Sequence, residues 1–223
     1  TCELDEEQKD SNGIYYKLNE KDKTATLGVD RDIDSASLLT DFNKIDSGVL
    51  KIPSYIKYEG ETYKVTRIGK NAFKGTKWKE VHIPDTVMSI GDNAFWCSVV
   101  KLYIGANVSD IGEKAVASTL MEEVYLDDNN KDFVLYQGAL FDRDMTTLIR
   151  CPTKSWYEYY PVYNVPESVK KIAAGAFTSS MIFNIKADSV TTVGEYAFYH
   201  AINLRTVSLR GVVEIGNGAF DMG

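Results

Sequence analysis

The chain has 223 residues, a formal net charge of −7 and 44% hydrophobic residues, so it can bury a sizeable core and global disorder is excluded. It has no long Lys/Arg block, which argues against nucleic acid and an anionic membrane surface as partners, since both need a basic stripe. No apolar run approaches the roughly 20 residues that a bilayer-crossing helix needs. Cys2, Cys97 and Cys151 are too few and too scattered for a disulfide framework or a zinc site.

At the start of the chain, Cys2 precedes Glu3, Asp5, Glu6 and Glu7. A Cys in front of an acidic stretch suits a mature surface lipoprotein with its lipid on that Cys. An ordinary Cys is the alternative, since a sequence that opens on Thr1 and not on Met is expected to be a processed or cut form. Residues 13–29 alternate as a hairpin, with Ile14-Tyr15-Tyr16-Lys17-Leu18 and Thr24-Ala25-Thr26-Leu27 as its arms. Residues 30–48 are polar and indefinite. Within them Asp30-x-Asp32-x-Asp34, with Asp41 twelfth, imitates a calcium loop, but Ser35 stands where Gly is needed and a short Asp where a bidentate Glu is needed. That run and Asp128-Asn129-Asn130-Lys131-Asp132 both read as solvated loops, and no metal or cofactor is expected. Residues 49–68 form a second expected hairpin, turning at Glu59-Gly60-Glu61.

From Ile68 onward one pattern recurs six times: Ile68-Gly69-Lys70-Asn71-Ala72-Phe73, Ile90-Gly91-Asp92-Asn93-Ala94-Phe95, Ile111-Gly112-Glu113-Lys114-Ala115-Val116, Ile172-Ala173-Ala174-Gly175-Ala176-Phe177, Val193-Gly194-Glu195-Tyr196-Ala197-Phe198 and Ile215-Gly216-Asn217-Gly218-Ala219-Phe220. Successive starts are 22, 21, 61, 21 and 22 residues apart, so one interval holds an insertion. Stacked coils bring equal positions together, so Ile/Val, Ala and Phe are expected to form inward ladders. The Gly after Ile is read as a positive-φ corner. Between these segments Val81-x-Ile83, Leu102-x-Ile104, Val124-x-Leu126, Tyr163-x-Val165, Phe183-x-Ile185 and Val207-x-Leu209 read as short strands by period two. Val87, Val108, Val169, Val190 and Val212 add a further apolar rung, and Pro84 and Pro166 stop two of the strands.

The run Val81-His82-Ile83-Pro84-Asp85-Thr86-Val87-Met88-Ser89-Ile90-Gly91-Asp92-Asn93-Ala94-Phe95 resembles the BspA-like leucine-rich repeats of bacterial surface proteins. The likeness covers roughly residues 49–220, with Val116 for Phe and Ala173 for Gly as departures. Residues 133–152 resemble a hairpin insertion of that family, through Tyr136-Gln137-Gly138-Ala139-Leu140-Phe141 and Thr146-Thr147-Leu148-Ile149-Arg150-Cys151-Pro152. The resemblance implies an extracellular or outer-surface protein with a role in adhesion to host molecules. The expected fold is a repeat solenoid of the leucine-rich-repeat type (α/β horseshoe class, β-rich), with coils of about 22 residues forming one parallel sheet. Residues 1–48 are the expected polar segment and capping hairpin, and 49–223 the solenoid, with the insertion at about 127–161. The hairpins should cap the first coil, because a bare solenoid end exposes apolar core. The inserted hairpin is expected to project from one flank on a loop. Beyond Phe220, where a strand is due, either more chain or another molecule is expected to cover the last coil.

Outward sheet positions are the candidate binding face. His82, Tyr103 and Tyr125 should stand side by side on adjacent strands, with Asn164 and Asn184 further along. They are either a recognition surface or cross-strand neighbours that stabilise the sheet. Trp156, Tyr157, Tyr159 and Tyr160 form the densest aromatic stretch, and either stack on sugars or anchor a partner, or pack the insertion against the coils. No G-x-S-x-G, H-E-x-x-H or Walker motif is present, and no catalytic residue is singled out. The expected function is therefore non-catalytic binding or adhesion to a host or neighbouring-cell protein or glycan. The alternatives are a glycan-binding accessory protein and a glycoside hydrolase, which would need two facing carboxylates, one with a raised pKa.

Overall fold

The computed structural model describes residues 2–3, 8–10, 14–28, 48–96, 98–118, 120–153 and 162–221. The calcium-like run at 30–41, Cys97, Trp156, Tyr157, Tyr159 and Tyr160 lie outside them. Among the described residues every regular element is a strand, and the strands wind into a β-solenoid of about six stacked turns.

Each coil contributes two strands. The first set, Val49–Lys51, Lys77–His82, Ser98–Ile104 and Glu123–Leu126, forms one parallel four-stranded sheet. Tyr163–Asn164, Asn184–Lys186 and Thr206–Ser208 form a separate parallel three-stranded sheet. The expected single sheet is thus two pieces, because the chain between Leu126 and Tyr163 interrupts the ladder. The second set consists of strands at the Ile/Val of each repeat, paired as Leu27–Ile68–Ile90–Ile111 and as Leu148–Ile172–Val193–Ile215. Period-two alternation turns Val81, Leu102 and Val124 into the core and leaves His82, Tyr103 and Tyr125 outside.

The Phe that ends five of the six repeats forms two stacks, one on each side of Val116. Phe73 lies on Phe95 at 5.3 Å between ring centroids, Phe177 on Phe198 at 5.0 Å and Phe198 on Phe220 at 4.8 Å, all within 11° of parallel. The ladder residues Ala94, Ala115, Ala176 and Ala197 are buried beside them. The capping hairpin Tyr16–Asn19 with Thr24–Leu27 joins the same core through Tyr16, Ala25 and Leu27, and the second hairpin pairs Tyr55–Tyr58 with Glu61–Ile68.

Within the coils, two further sequence readings need correction. The positive φ does not fall on the Gly after Ile. It falls two residues later, at Asn71, Asn93, Lys114, Gly175, Tyr196 and Gly218. The earlier Gly is needed for closeness: a Cβ on Gly91 would lie 2.6 Å from the Lys70 amide nitrogen and 2.8 Å from the Gly69 carbonyl carbon. Gly91→Ala is therefore expected to cost roughly 1–3 kcal/mol by overpacking, whereas Asn93→Gly should fold normally; chemical denaturation of the two variants checks this. The other correction is Phe183, which lies one inward step outside its expected place, since Ile185 pairs with both Tyr163 and Val207. Phe183 instead lies under the Arg205 guanidinium, 4.8 Å from the ring centroid.

The insertion does not project. Phe133–Tyr136, Ala139–Asp142 and Thr147–Arg150 form an antiparallel meander whose last strand enters the second ladder, pairing Leu148 with Ile172. Ala139, Leu140 and Phe141 are all fully buried. Leu140 packs into the core of the earlier coils, while Ala139 and Phe141 pack into the core of the later ones. This strand is a partition, and excising residues 128–160 would remove wall from both cores. Asn130 starts the meander and is buried, not solvated: its amide donates to the carbonyls of Gly105 and Val108, and its oxygen accepts from the amides of Asp132 and Phe133.

Cys151 follows the meander, and its amide bonds to the Ala176 carbonyl as a Phe amide does in other coils. Burial pushes its thiol up to about 12, and the hydroxyl of Tyr163 lies beside it. A raised folded-state pKa means the unfolded chain loses its proton first, so this group leaves stability unchanged at neutral pH and lowers it as pH rises from about 9 towards 12. In a Cys2→Ser/Cys97→Ser background, native Cys151 should resist thiol-specific reagents and react only after denaturation.

Candidate functional site

The outer face of the four-stranded sheet brings three of the expected residues together. Backbone register places Lys51, His82, Tyr103 and Tyr125 in one row. The rings of His82 and Tyr103 stack at 4.1 Å, and those of Tyr103 and Tyr125 at 4.4 Å, both pairs within 6° of parallel. Parallel strands force this spacing, because the same outward position repeats at each rung. The next row is Val49, Glu80, Lys101 and Glu123, so charges of both signs border the rings. Glu80 holds the His82 Nε2 at 3.3 Å, and the Tyr125 hydroxyl donates to the Glu123 carboxylate. That hydrogen bond, with smaller effects of desolvation and neighbouring charge, pushes the Tyr125 phenol up to about 12.

Stacking fixes the rings and directs their edges outward. The ladder therefore presents ring edges, an imidazole nitrogen and phenol oxygens, with the outer face of Tyr125 at one end. Such a surface is rigid before any partner arrives. Tyr and His have few rotatable bonds, so ordering them on binding costs little.

Asn164 and Asn184 belong to the separate three-stranded sheet and do not share a row. Asn164 pairs with Lys186, and Asn184 with Thr206, whose hydroxyl donates to the Asn184 oxygen at 2.7 Å. The two-residue register difference comes from the misplaced Phe183 strand. Neither Asn reaches the aromatic row through a continuous sheet.

A second aromatic cluster escaped the sequence reading. Lys114 Nζ lies 5.0 Å from the Trp96 ring centroid and 5.4 Å from that of Tyr196, and it pairs with Glu195 at 2.5 Å. Lys114 and Tyr196 come from coils on opposite sides of the insertion. They meet because the intervening turn has only Ala173, Ala174 and Gly175 there. Glu113 and Lys171 cross the same seam at 3.5 Å. These contacts clasp the two halves of the stack, and no local sequence signal links residues 81 apart. The described carboxyls with resolved shifts, Asp142 and Asp188, are both held low. Burial works against this at Asp142 and is outweighed by hydrogen bonds from Thr146 and Thr147; at Asp188 the Ser208 hydroxyl is the main cause.

Stacked parallel coils with a recurrent Ile-Gly-x-x-Ala-Phe turn and an outward row on a parallel sheet define a leucine-rich-repeat solenoid. Residues 42–145 and 159–222 match the model of the BspA type leucine rich repeat region, in six copies, and the chain belongs to that family. Among solved structures, it is similar in fold to a leucine rich cell surface protein of Faecalibacterium prausnitzii, at TM-score 0.52 and 16% identity over 95% of this chain and 79% of that one. A leucine rich repeat protein of T. pallidum aligns at TM-score 0.44 and 16% identity, over 95% of this chain and 87% of that one. One from Eubacterium ventriosum aligns at TM-score 0.44 and 17% identity, over 89% and 70%. No curated protein matches the chain in sequence.

Proposed function

We propose that this protein is a non-catalytic bacterial surface module that binds a protein on a host or neighbouring cell, through the outer face of the four-stranded sheet. The observation that carries the reading is the stacked row of His82, Tyr103 and Tyr125. Aromatic side chains at the centre, bordered by Lys51, Glu80, Lys101 and Glu123, reproduce the anatomy of a protein interface, with an anchor cluster inside a polar rim. Family membership supports a binding role, because stacked repeats offer extended faces of this kind. Asn164 and Asn184 would then contribute little. Cys2, ahead of its acidic stretch, is the candidate point of lipid attachment, which the mass of the chain recovered from cell membranes tests.

The experiment compares the unaltered protein with a His82→Ala/Tyr103→Ala/Tyr125→Ala variant on immobilised host matrix proteins and on intact cells. Loss of about tenfold or more in affinity is expected, equivalent to about 1.4 kcal/mol, with the Asn164→Ala/Asn184→Ala variant close to unaltered. Equal binding by the triple variant rejects the assignment. No turnover of glycan or peptide substrates is expected; hydrolysis that disappears on one carboxylate substitution would overturn the non-catalytic reading.

A further inference from the structure

The second ladder carries a polar groove on its outer side, away from the aromatic row. Beside the inward line Leu27–Ile68–Ile90–Ile111, backbone register sets Lys17, Thr26, Arg67, Ser89 and Asp110 in one row across five strands. With strands about 4.8 Å apart, Lys17 and Arg67 stand about 10 Å from each other, and Arg67 about as far from Asp110. A groove of about 520 Å³ opens over this row, walled by Lys17, Thr26, Arg67, Lys70, Asp92 and Asp110. Its floor is the line Gly69, Gly91 and Gly112, where each coil lies so close to the one before that a Cβ would meet backbone atoms. The Asp92 carboxylate lies against Gly112, and Gly69 and Gly91 leave the rest of the floor bare, so a long ligand can lie across the strands.

We propose that this groove binds an anionic oligosaccharide. Lys17 and Arg67 are exposed, and neither forms an ion pair among the described residues. In a chain of net charge −7, Lys17, Arg67 and Lys70 outnumber Asp92 and Asp110 along this groove, a local excess of positive charge. The cations suit the carboxylate or sulfate groups of a sugar chain, and Arg67 can hold such a group with two parallel N–H bonds. Thr24, Thr26 and Thr66 add hydroxyls to the lining. Asp110 accepts hydrogen bonds from sugar hydroxyls, whereas Asp92 already receives the Glu113 amide at 2.9 Å. Over Arg67 and Ser89 a peptide finds no strand edge, since the backbone groups of these two strands are used within the ladder on both sides. Of the apolar lining residues, Ile68 and Ile90 are buried and Leu18 is partly buried against the core, which leaves little apolar surface for a side-chain anchor.

The test is calorimetric titration of the whole chain with a hexamer of galacturonate, a heparin-derived hexasaccharide and neutral cellohexaose. At least one anionic probe should bind, more weakly as salt is raised; the two anionic probes separate a uronate ligand from a sulfated one. Lys17→Gln/Arg67→Gln should weaken binding about tenfold or more with an unchanged unfolding midpoint, while Tyr103→Ala should leave it unaltered. Failure of both anionic probes at millimolar concentration and low salt overturns the proposal. So does equal affinity for cellohexaose, or binding that survives Lys17→Gln/Arg67→Gln.

Discussion

Phe95→Ala is expected to destabilise the solenoid by roughly 3–5 kcal/mol, the usual cost of emptying a large buried aromatic site. Phe95 has no exposed surface, and Phe73 lies on it at 5.3 Å. Its amide also bonds to the Ala115 carbonyl, so it is held between coils on both sides and the neighbours cannot easily close the cavity. Tyr103→Ala is the comparison. Tyr103 is only partly buried and loses two ring contacts, worth about 1 kcal/mol together. Equal shifts of the denaturation midpoint for both variants would show that stability does not reside in the internal stack.

Arg150→Met should also be damaging, by roughly 2–5 kcal/mol, from the buried carbonyls left without their donor. Arg150 is completely buried and donates to the carbonyls of Ser118 at 2.6 Å, Gly175 at 3.0 Å and Thr178 at 3.2 Å. Ser118 ends the turn before the insertion, and Gly175 and Thr178 lie in the turn after it, so one guanidinium joins both blocks. Among the described residues no carboxylate pairs with it, and its Nε is unsatisfied. Burial pulls its pKa down to about 10, which still leaves it charged at neutral pH. Methionine fills similar space and donates nothing: the carbonyls of Ser118 and Thr178 lose the guanidinium donor, while that of Gly175 keeps the Thr178 amide and hydroxyl. Arg150→Lys should fall between, as an ammonium lacks the planar fork that spans acceptors on two coils. If Arg150→Met unfolds at the unaltered midpoint, the Ser118 and Thr178 carbonyls do not need this donor.

The repeat was legible because its cause is local and periodic. A spacing of 21 or 22 residues puts the same side chain in the same place in each coil. The inward positions of Ile90, Ala94 and Phe95, and the juxtaposition of His82, Tyr103 and Tyr125, followed from that spacing and from strand alternation alone. What broke the period could not be read this way. The meander at Phe133–Arg150 looked like a loop excursion because only its contacts show both faces of Leu140 and Phe141 to be covered, one by each core. The Gly after Ile signalled a special backbone position but not its reason; closeness to the preceding coil, and not a left-handed φ, became visible only with both coils in place. Arg150 and the Lys114–Glu195 clasp likewise depend on residues far away in the chain. Sequence by itself determined the coil, since each coil repeats its neighbour's environment. Tertiary structure decided the seam, where the neighbours differ and a side chain's role depends on what packs across from it.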